Sequence, residues 1–281
     1  LIIHKKQICF SKINKDSDIL FATDYFPTFV AVLLFFNFLT FNVFMQMFPV
    51  IFVSLGPGEP ELITVKGLKA LQTADCIFCP ETLAKDGNRV SRAADILLQL
   101  DIPENTVHRF PLPMSKQREK ALSAYDEVYM ESSTLRQQGK KVCIVAEGDA
   151  GFYSSIHYVY DKLQADGIPV KHIPGIPAFI AAGALGGLHV ASQEERLTVI
   201  PGIVTTEEIE RLTSENSAVV IMKLSRCTDE IHRCIRLHPE YRYHYFENVG
   251  TPEEKYINDS KRIAAIRFPY FSLLIIRPEA F

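Results

Sequence analysis

Two rhythms of apolar and polar residues alternate along this chain, and the switches between them mark out its elements. The runs VIFVSL (50–55), DCIFC (75–79) and VCIVA (142–146) are short and almost wholly apolar. Runs of this length, bounded by turn residues, predict strands buried on both faces. Helical spacing fills the gaps between them. Ile63, Gly67, Ala70 and Ala74 share one face, and so do Ala94, Leu97 and Leu98 within 91–100. Residues 115–138 read as a long polar helix closed by Gly139.

Local signals set the expected boundaries. Pro60 and Glu61 suit the first turn of the first helix, where a missing N–H does no harm and an acid meets the positive end of the dipole. Pro80 is expected to stop the second strand, and Ser154 to cap a helix carrying Ile156, Val159, Tyr160 and Leu163. A strand follows at 168–173. Pro174-Gly175-Ile176-Pro177 then interrupts the pattern and leads into a small-residue helix at 178–186. Strands are expected at 197–200, 218–223, 242–246 and 271–276. Helices are expected at 205–212, where Thr205 and Glu208 form a capping box, and at 228–237.

Strand–helix alternation of this kind belongs to a parallel sheet covered by helices. The expected class is α/β in two domains. The first, 47–173, has a parallel sheet; the second, 174–281, has a mixed sheet, because two strands crowd near its end.

The first 46 residues break the pattern. No charged residue occurs from Tyr25 to Phe52, and Phe recurs throughout. The length alone would allow a membrane span. Against this, the run enters the first strand without a linker, and its Phe, Leu, Ile, Lys and Asn are residues of AT-rich codons. The expectation is therefore a natural start at Met47 or Met45, with 1–46 a non-native apolar extension. A membrane-anchored binding protein using this run is the rival reading.

Composition excludes some functions. The 281 residues carry a net charge of −3, so no basic stripe for nucleic acid is evident. Six cysteines in a chain this long do not make a disulfide framework; they read as buried thiols in a reducing, cytoplasmic setting. Cys76 and Cys79 form a C-x-x-C pair inside a strand. Residues three apart in a strand point to opposite faces, so no metal site is expected there.

Glycine turns carry the chemistry. Residues 52–62 read FVSLGPGEPEL, which resembles half of a dinucleotide loop. Glu61 stands where the third glycine would be needed, which argues against that use. Two further loops follow strands: EGDAGFYSS (147–155) and PGIPA (174–178). Ligands in open α/β sheets bind at such carboxyl ends.

Five segments occur in order: LGPGEPELITVKGLKALQTAD, EGDAGFYSS, PGIPAFIAAGALGGLHVA, VVIMKL and ENVGTPEE. Together they resemble the tetrapyrrole (corrin/porphyrin) S-adenosylmethionine-dependent methyltransferases, from about Val50 to Ile276. Within that family the likeness is to the branch that acts at C20 of precorrin-2 or cobalt-factor II, in cobalamin biosynthesis. Glu59 departs from the Asp usual in the family. The resemblance implies a cleft between the two α/β domains, a homodimer, and S-adenosylmethionine as methyl donor. Carried over by motif, the cofactor contacts would be Pro57, Glu147, Gly148, Asp149, Phe152, Pro177, Ala178, Met222 and Gly250. The substrate, a reduced tetrapyrrole, bears many carboxylates, for which Lys66, Lys85, Arg89, Arg92 and Arg109 are the candidate partners. Tyr153, Glu147 and Glu81 are candidates for a general base. Other activities of the family, at a different precorrin carbon, on RNA or on diphthamide, remain the alternatives.

Overall fold

Strand β1 (Val50–Ser54) lies between β5 (Val142–Ala146) and β6 (Val170–Ile173), parallel to both. Strand β2 (Cys76–Leu83) pairs in parallel with β5 and with β4 (Val107–Pro113), and the two-residue β3 (Arg89–Val90) runs antiparallel to its end. The sheet order is β3-β2-β5-β1-β6, with β4 against β2. Helices cover both faces. On one, Phe52, Phe78 and Ile144 pack with Tyr125 and Val128 of α3 (Arg118–Gln137) and with Val159 and Leu163 of α4 (His157–Ala165). On the other, Val53, Ile77 and Val145 meet Leu71 of α1 (Val65–Gln72) and Ala93, Ile96 and Leu97 of α2 (Arg92–Gln99). This double cover is why the strands are apolar without alternation. Cys76 belongs to the first cluster and Cys79 to the second, as the strand period requires.

This architecture comes from a computed structural model that describes residues 48–83, 89–113 and 118–278. The proposed extension 1–46, the starts at Met45 and Met47, and Lys85 lie outside the described residues. Residues Phe48–Phe281 form one compact unit.

The second sheet has the order β10-β9-β11-β8-β7. It comprises β7 (Arg196–Ile200), β8 (Ser217–Met222), β9 (Arg242–Glu247), β10 (Lys255–Ile257) and β11 (Ser272–Arg277). Only the β7–β8 pair is parallel, so the sheet is mixed. One face carries α6 (Thr206–Ser214), α7 (Thr228–Leu237) and α8 (Ser260–Ala264) through Ile209, Ile231 and Ile263. The other packs Val220, Phe246 and Leu273 against Phe179 and Ala182 of α5 (Ala178–Leu185).

Several expected boundaries need correction. Pro60–Leu62 is a separate 3₁₀ turn, and α1 starts afresh at Val65, capped by the Thr64 hydroxyl, which accepts from Gly67 N at 3.1 Å. Thr64 is the better cap because its side chain reaches an orphan N–H, which a proline start cannot do. Strand β2 runs through Pro80 to Leu83. Ser154 does not cap α4, whose N-cap is Ile156 without a side-chain bond. Strand β4 was missed because Pro111 and Pro113 obscure it; an edge strand tolerates the missing donors. The short β3, β10 and α8 were missed too. The capping box holds at Thr205, which accepts from Glu208 N at 3.2 Å.

No helix among the described residues is long and apolar enough to cross a membrane. The five described cysteines are buried and free, and burial pushes the Cys76 thiol up to about 12.

Candidate active site

Three loops that leave the carboxyl ends of β1, β5 and β6 are tied together by backbone and by one carboxylate. Gly56 N donates to Gly148 O at 3.1 Å, and the reciprocal bond joins Gly148 N to Gly56 O at 2.6 Å. The Asp149 carboxylate accepts from Gly151 N at 2.8 Å and from Gly175 N at 2.7 Å. Ser54, fully buried at the end of β1, donates to Asp149 Oδ2 at 3.4 Å and accepts from Ala150 N at 2.8 Å. His172 closes the knot, its Nε2 being 3.3 Å from Ser54 Oγ and 3.7 Å from Asp149 Oδ1. Asp149 is therefore a clamp between the loops after β5 and β6.

A fourth segment presses on the first loop. Gly58 (φ 151°) and Gly250 (φ 80°) meet backbone to backbone; a Cβ on Gly58 would lie 2.7 Å from Gly250 O. Gly58→Ala is expected to lower stability by about 1–3 kcal/mol through this overpacking, read as a drop in thermal midpoint. A midpoint equal to wild type would show that the contact yields freely.

These loops open onto a cavity of about 420 Å³ that both sheets line. Eight of the nine carried-over cofactor positions face it: Pro57, Glu147, Gly148, Asp149, Phe152, Pro177, Ala178 and Met222. The ninth, Gly250, stands behind the Pro57 loop. The second sheet adds Phe246, Val249 and Leu273. Phe152 and Phe179 rings lie 5.6 Å apart. The set suits S-adenosylmethionine: apolar faces for an adenine, exposed loop backbone for its polar edge, and carboxyl groups for a cation. A side chain added at Gly148 would enter open space, so backbone there is approachable, whereas one at Gly175 would strike Ser54 Cβ at 2.5 Å.

Among the described substrate candidates, Lys66, Arg89, Arg92 and Arg109, only Arg92 lines the cavity. Its guanidinium donates to Asn248 Oδ1 and lies 3.6 Å from the centroid of the Phe271 ring. Burial lowers its pKa, and the negative charges of Glu147, Glu253 and Asp95 oppose that effect. Lys66 is exposed on α1. Arg89 and Arg109 instead converge on the buried Glu81, at 3.0 and 3.7 Å, and Arg109 also pairs with Glu104 at 3.0 Å. The pleat explains their absence from the cavity. Thr82, Val90 and Leu112 line it, and Glu81, Arg89 and Arg109 are their odd neighbours on the opposite face. Glu81 is thereby held between two arginines, away from the cavity.

Of the other base candidates, the Tyr153 hydroxyl donates to Val199 O at 3.0 Å. Glu147 lines the cavity and has no hydrogen-bond partner among the described residues. Burial pushes its carboxyl above the usual range; Arg92 pulls it partly back and Asp95 adds to the rise.

Ser54, His172 and Asn248 were not singled out from the sequence. They act across 95, 118 and 156 residues of chain, and no local pattern marks such partners.

The model of the Tetrapyrrole (Corrin/Porphyrin) Methylases matches residues 49–263. The chain is 30% identical over 233 residues to a precorrin-2 C(20)-methyltransferase of Sinorhizobium sp., covering 80% of this chain and 93% of that protein. It is 28% identical to a probable cobalt-precorrin-2 C(20)-methyltransferase of Methanocaldococcus jannaschii, over 64% of this chain and 74% of that one. Its fold is like that of the uroporphyrin-III C-methyl transferase from Thermus thermophilus complexed with S-adenyl homocysteine, with a TM-score of 0.58 at 18% identity, covering 82% and 97% of the two chains. With the motifs, the two-sheet fold and the shared cavity in agreement, this chain belongs to the tetrapyrrole (corrin/porphyrin) methylases.

Proposed function

We propose that this protein transfers a methyl group from S-adenosylmethionine to C20 of precorrin-2 or its cobalt-bearing counterpart, in cobalamin biosynthesis. The observation that carries the reading is the single cavity on which eight motif positions from four separated segments converge. The C20 activity rests on likeness to the Sinorhizobium and Methanocaldococcus proteins.

S-adenosylmethionine, when bound, supplies an electrophilic methyl that the meso carbon takes in an SN2 displacement. The protein's own share is placement and proton handling. Phe152, Pro177, Ala178 and Met222 give apolar cover, and the knotted loops hold their backbone in a fixed frame. Orientation of this kind is worth up to about 7–11 kcal/mol of barrier. Glu147 then takes the proton from C20, and the C–H electron pair restores the double bond of the macrocycle. Its raised pKa makes it a stronger base than an ordinary carboxylate, which suits abstraction of that proton.

Arg92 offers its remaining N–H donors to a substrate carboxylate. Arg92→Ala is expected to raise the substrate KM about tenfold or more, as loss of a charge-assisted bond does, and to change the S-adenosylmethionine KM less. An unchanged substrate KM removes Arg92 from the site. Residues 47–173 and 174–281 are taken as the two domains. A homodimer and a cytoplasmic location complete the proposal; sedimentation velocity tests the first. The reading as a whole is tested by titrating the full chain with S-adenosylhomocysteine and assaying C20 methylation of precorrin-2. Absence of binding by folded protein would overturn it.

A further inference from the structure

The cavity contains a second cation, the lysine of the VVIMKL segment, which was not among the substrate candidates. Lys223 follows the last residue of β8 and lines the cavity with Met222, Tyr270 and Ser272. Its side chain is half-buried, and among the described residues it has no hydrogen-bond acceptor and no carboxylate partner. The charge that acts on it is the like charge of Arg226, which, after burial itself, lowers its pKa. Surface lysines extend into water; a half-buried lysine without a counter-charge loses hydration and gains nothing in return. Such a group is retained where an anion arrives from outside.

The backbone holds it there at a cost. Lys223 is left-handed (φ 57°, ψ 51°), a conformation that favours Gly or Asn. Its N–H donates to Ser272 O at 3.0 Å, which pins the turn to the start of β11. Gly202 makes room for it: a Cβ there would lie 2.9 Å from Met222 O and 3.1 Å from Lys223 O. Strain of this kind gathers at this cavity. Tyr153 and Lys223 line it, and Asn248 (φ 52°) holds Arg92. The segment 270–272 meets both cations, since Phe271 stacks under Arg92 and Ser272 binds the Lys223 turn.

We propose that Lys223 is a carboxylate-binding residue of the cavity, which together with Arg92 holds an acidic ligand beside the 270–272 segment. The proposal rests on the methyltransferase reading for the identity of that ligand. Both a tetrapyrrole side chain and the amino-acid end of the methyl donor present a carboxylate, and binding measurements separate them.

Lys223→Asn keeps a residue suited to the left-handed turn and removes the cation; Lys223→Arg keeps the cation. The full chain is titrated with S-adenosylhomocysteine, with 5′-methylthioadenosine, which lacks the amino-acid carboxylate, and with precorrin-2. Lys223→Asn is expected to keep or raise the thermal midpoint and to lose about 10- to 100-fold in affinity for one carboxylate ligand, with substantial recovery in Lys223→Arg. A loss confined to precorrin-2 assigns the tetrapyrrole carboxylate. A loss for S-adenosylhomocysteine with none for 5′-methylthioadenosine assigns the donor's. Wild-type affinity of a folded Lys223→Asn protein for all three ligands would overturn the proposal. Failure of the wild type itself to bind S-adenosylhomocysteine would instead overturn the methyltransferase reading.

Discussion

Glu147→Gln is expected to slow methyl transfer by about 10²- to 10⁴-fold, the usual worth of a positioned base, with little change in affinity for S-adenosylhomocysteine. Gln keeps the shape and cannot take a proton. The pH profile makes the test sharper. Burial raises the Glu147 pKa above its ordinary 4.5, against the pull of Arg92. A base works in its ionised form, so activity should rise with pH through a limb displaced above 4.5, and Gln should abolish that limb. Stability moves in the opposite sense. A carboxyl whose pKa is raised by folding stabilises the fold while protonated, and this contribution is lost as pH rises through the raised value. At neutral pH the ionised Glu147 therefore costs stability, and Gln should leave the thermal midpoint unchanged or higher. Full activity in Glu147→Gln would exclude the carboxyl as base. A lost affinity for S-adenosylhomocysteine at unchanged kcat would make it a cofactor contact instead.

Asp149→Ala is the second large effect. Its carboxylate accepts from Gly151 N and Gly175 N and receives the Ser54 hydroxyl. Truncation leaves two backbone donors without their acceptor and frees the loop after β5 from the loop after β6. Loss of bonds to a charged acceptor is worth about 2–4 kcal/mol in all. The loops so released carry Glu147, Phe152, Pro177 and Ala178 into the cavity, and displacement by about 1 Å can cost a hundredfold in rate. Chemical denaturation should report the lost stability, and calorimetric titration at least a tenfold weaker affinity for S-adenosylhomocysteine. Asp149→Asn, which retains one acceptor oxygen, should fall between. If Asp149→Ala binds S-adenosylhomocysteine like wild type, the clamp is not what shapes the site.

Much of this was legible in the sequence because much of it is local. The runs VIFVS and VCIVA mark strands covered on both faces, and β1 and β5 are such strands. Thr228–Leu237 has the helical bounds its spacing predicts. Five ordered motifs carried the family, and the turns they encode depend on glycine and proline at fixed offsets. Cys76 and Cys79 fall on opposite faces because strand periodicity allows nothing else.

Charge was less legible. Lys66, Arg89, Arg92 and Arg109 were alike as letters, and only Arg92 enters the cavity. Which face of a strand a side chain takes depends on register, and register depends on partners: Glu81 lies opposite Pro111 and Leu83 opposite Arg89. The Pro-bearing β4 shows the same limit, since edge position, not propensity, permits it.

The sequence by itself determined the order of the longer apolar strands and of the helices between them, the turn glycines and the family, all of which follow from residues near one another in the chain. Tertiary structure alone decided which polar groups share a site. Asp149 became a clamp, Glu147 a carboxyl facing Arg92 across the cavity, and Lys223 a cation without a counter-charge among the described residues only when loops from distant strands met. Burial and pairing are properties of that meeting, and they set what each charge can do.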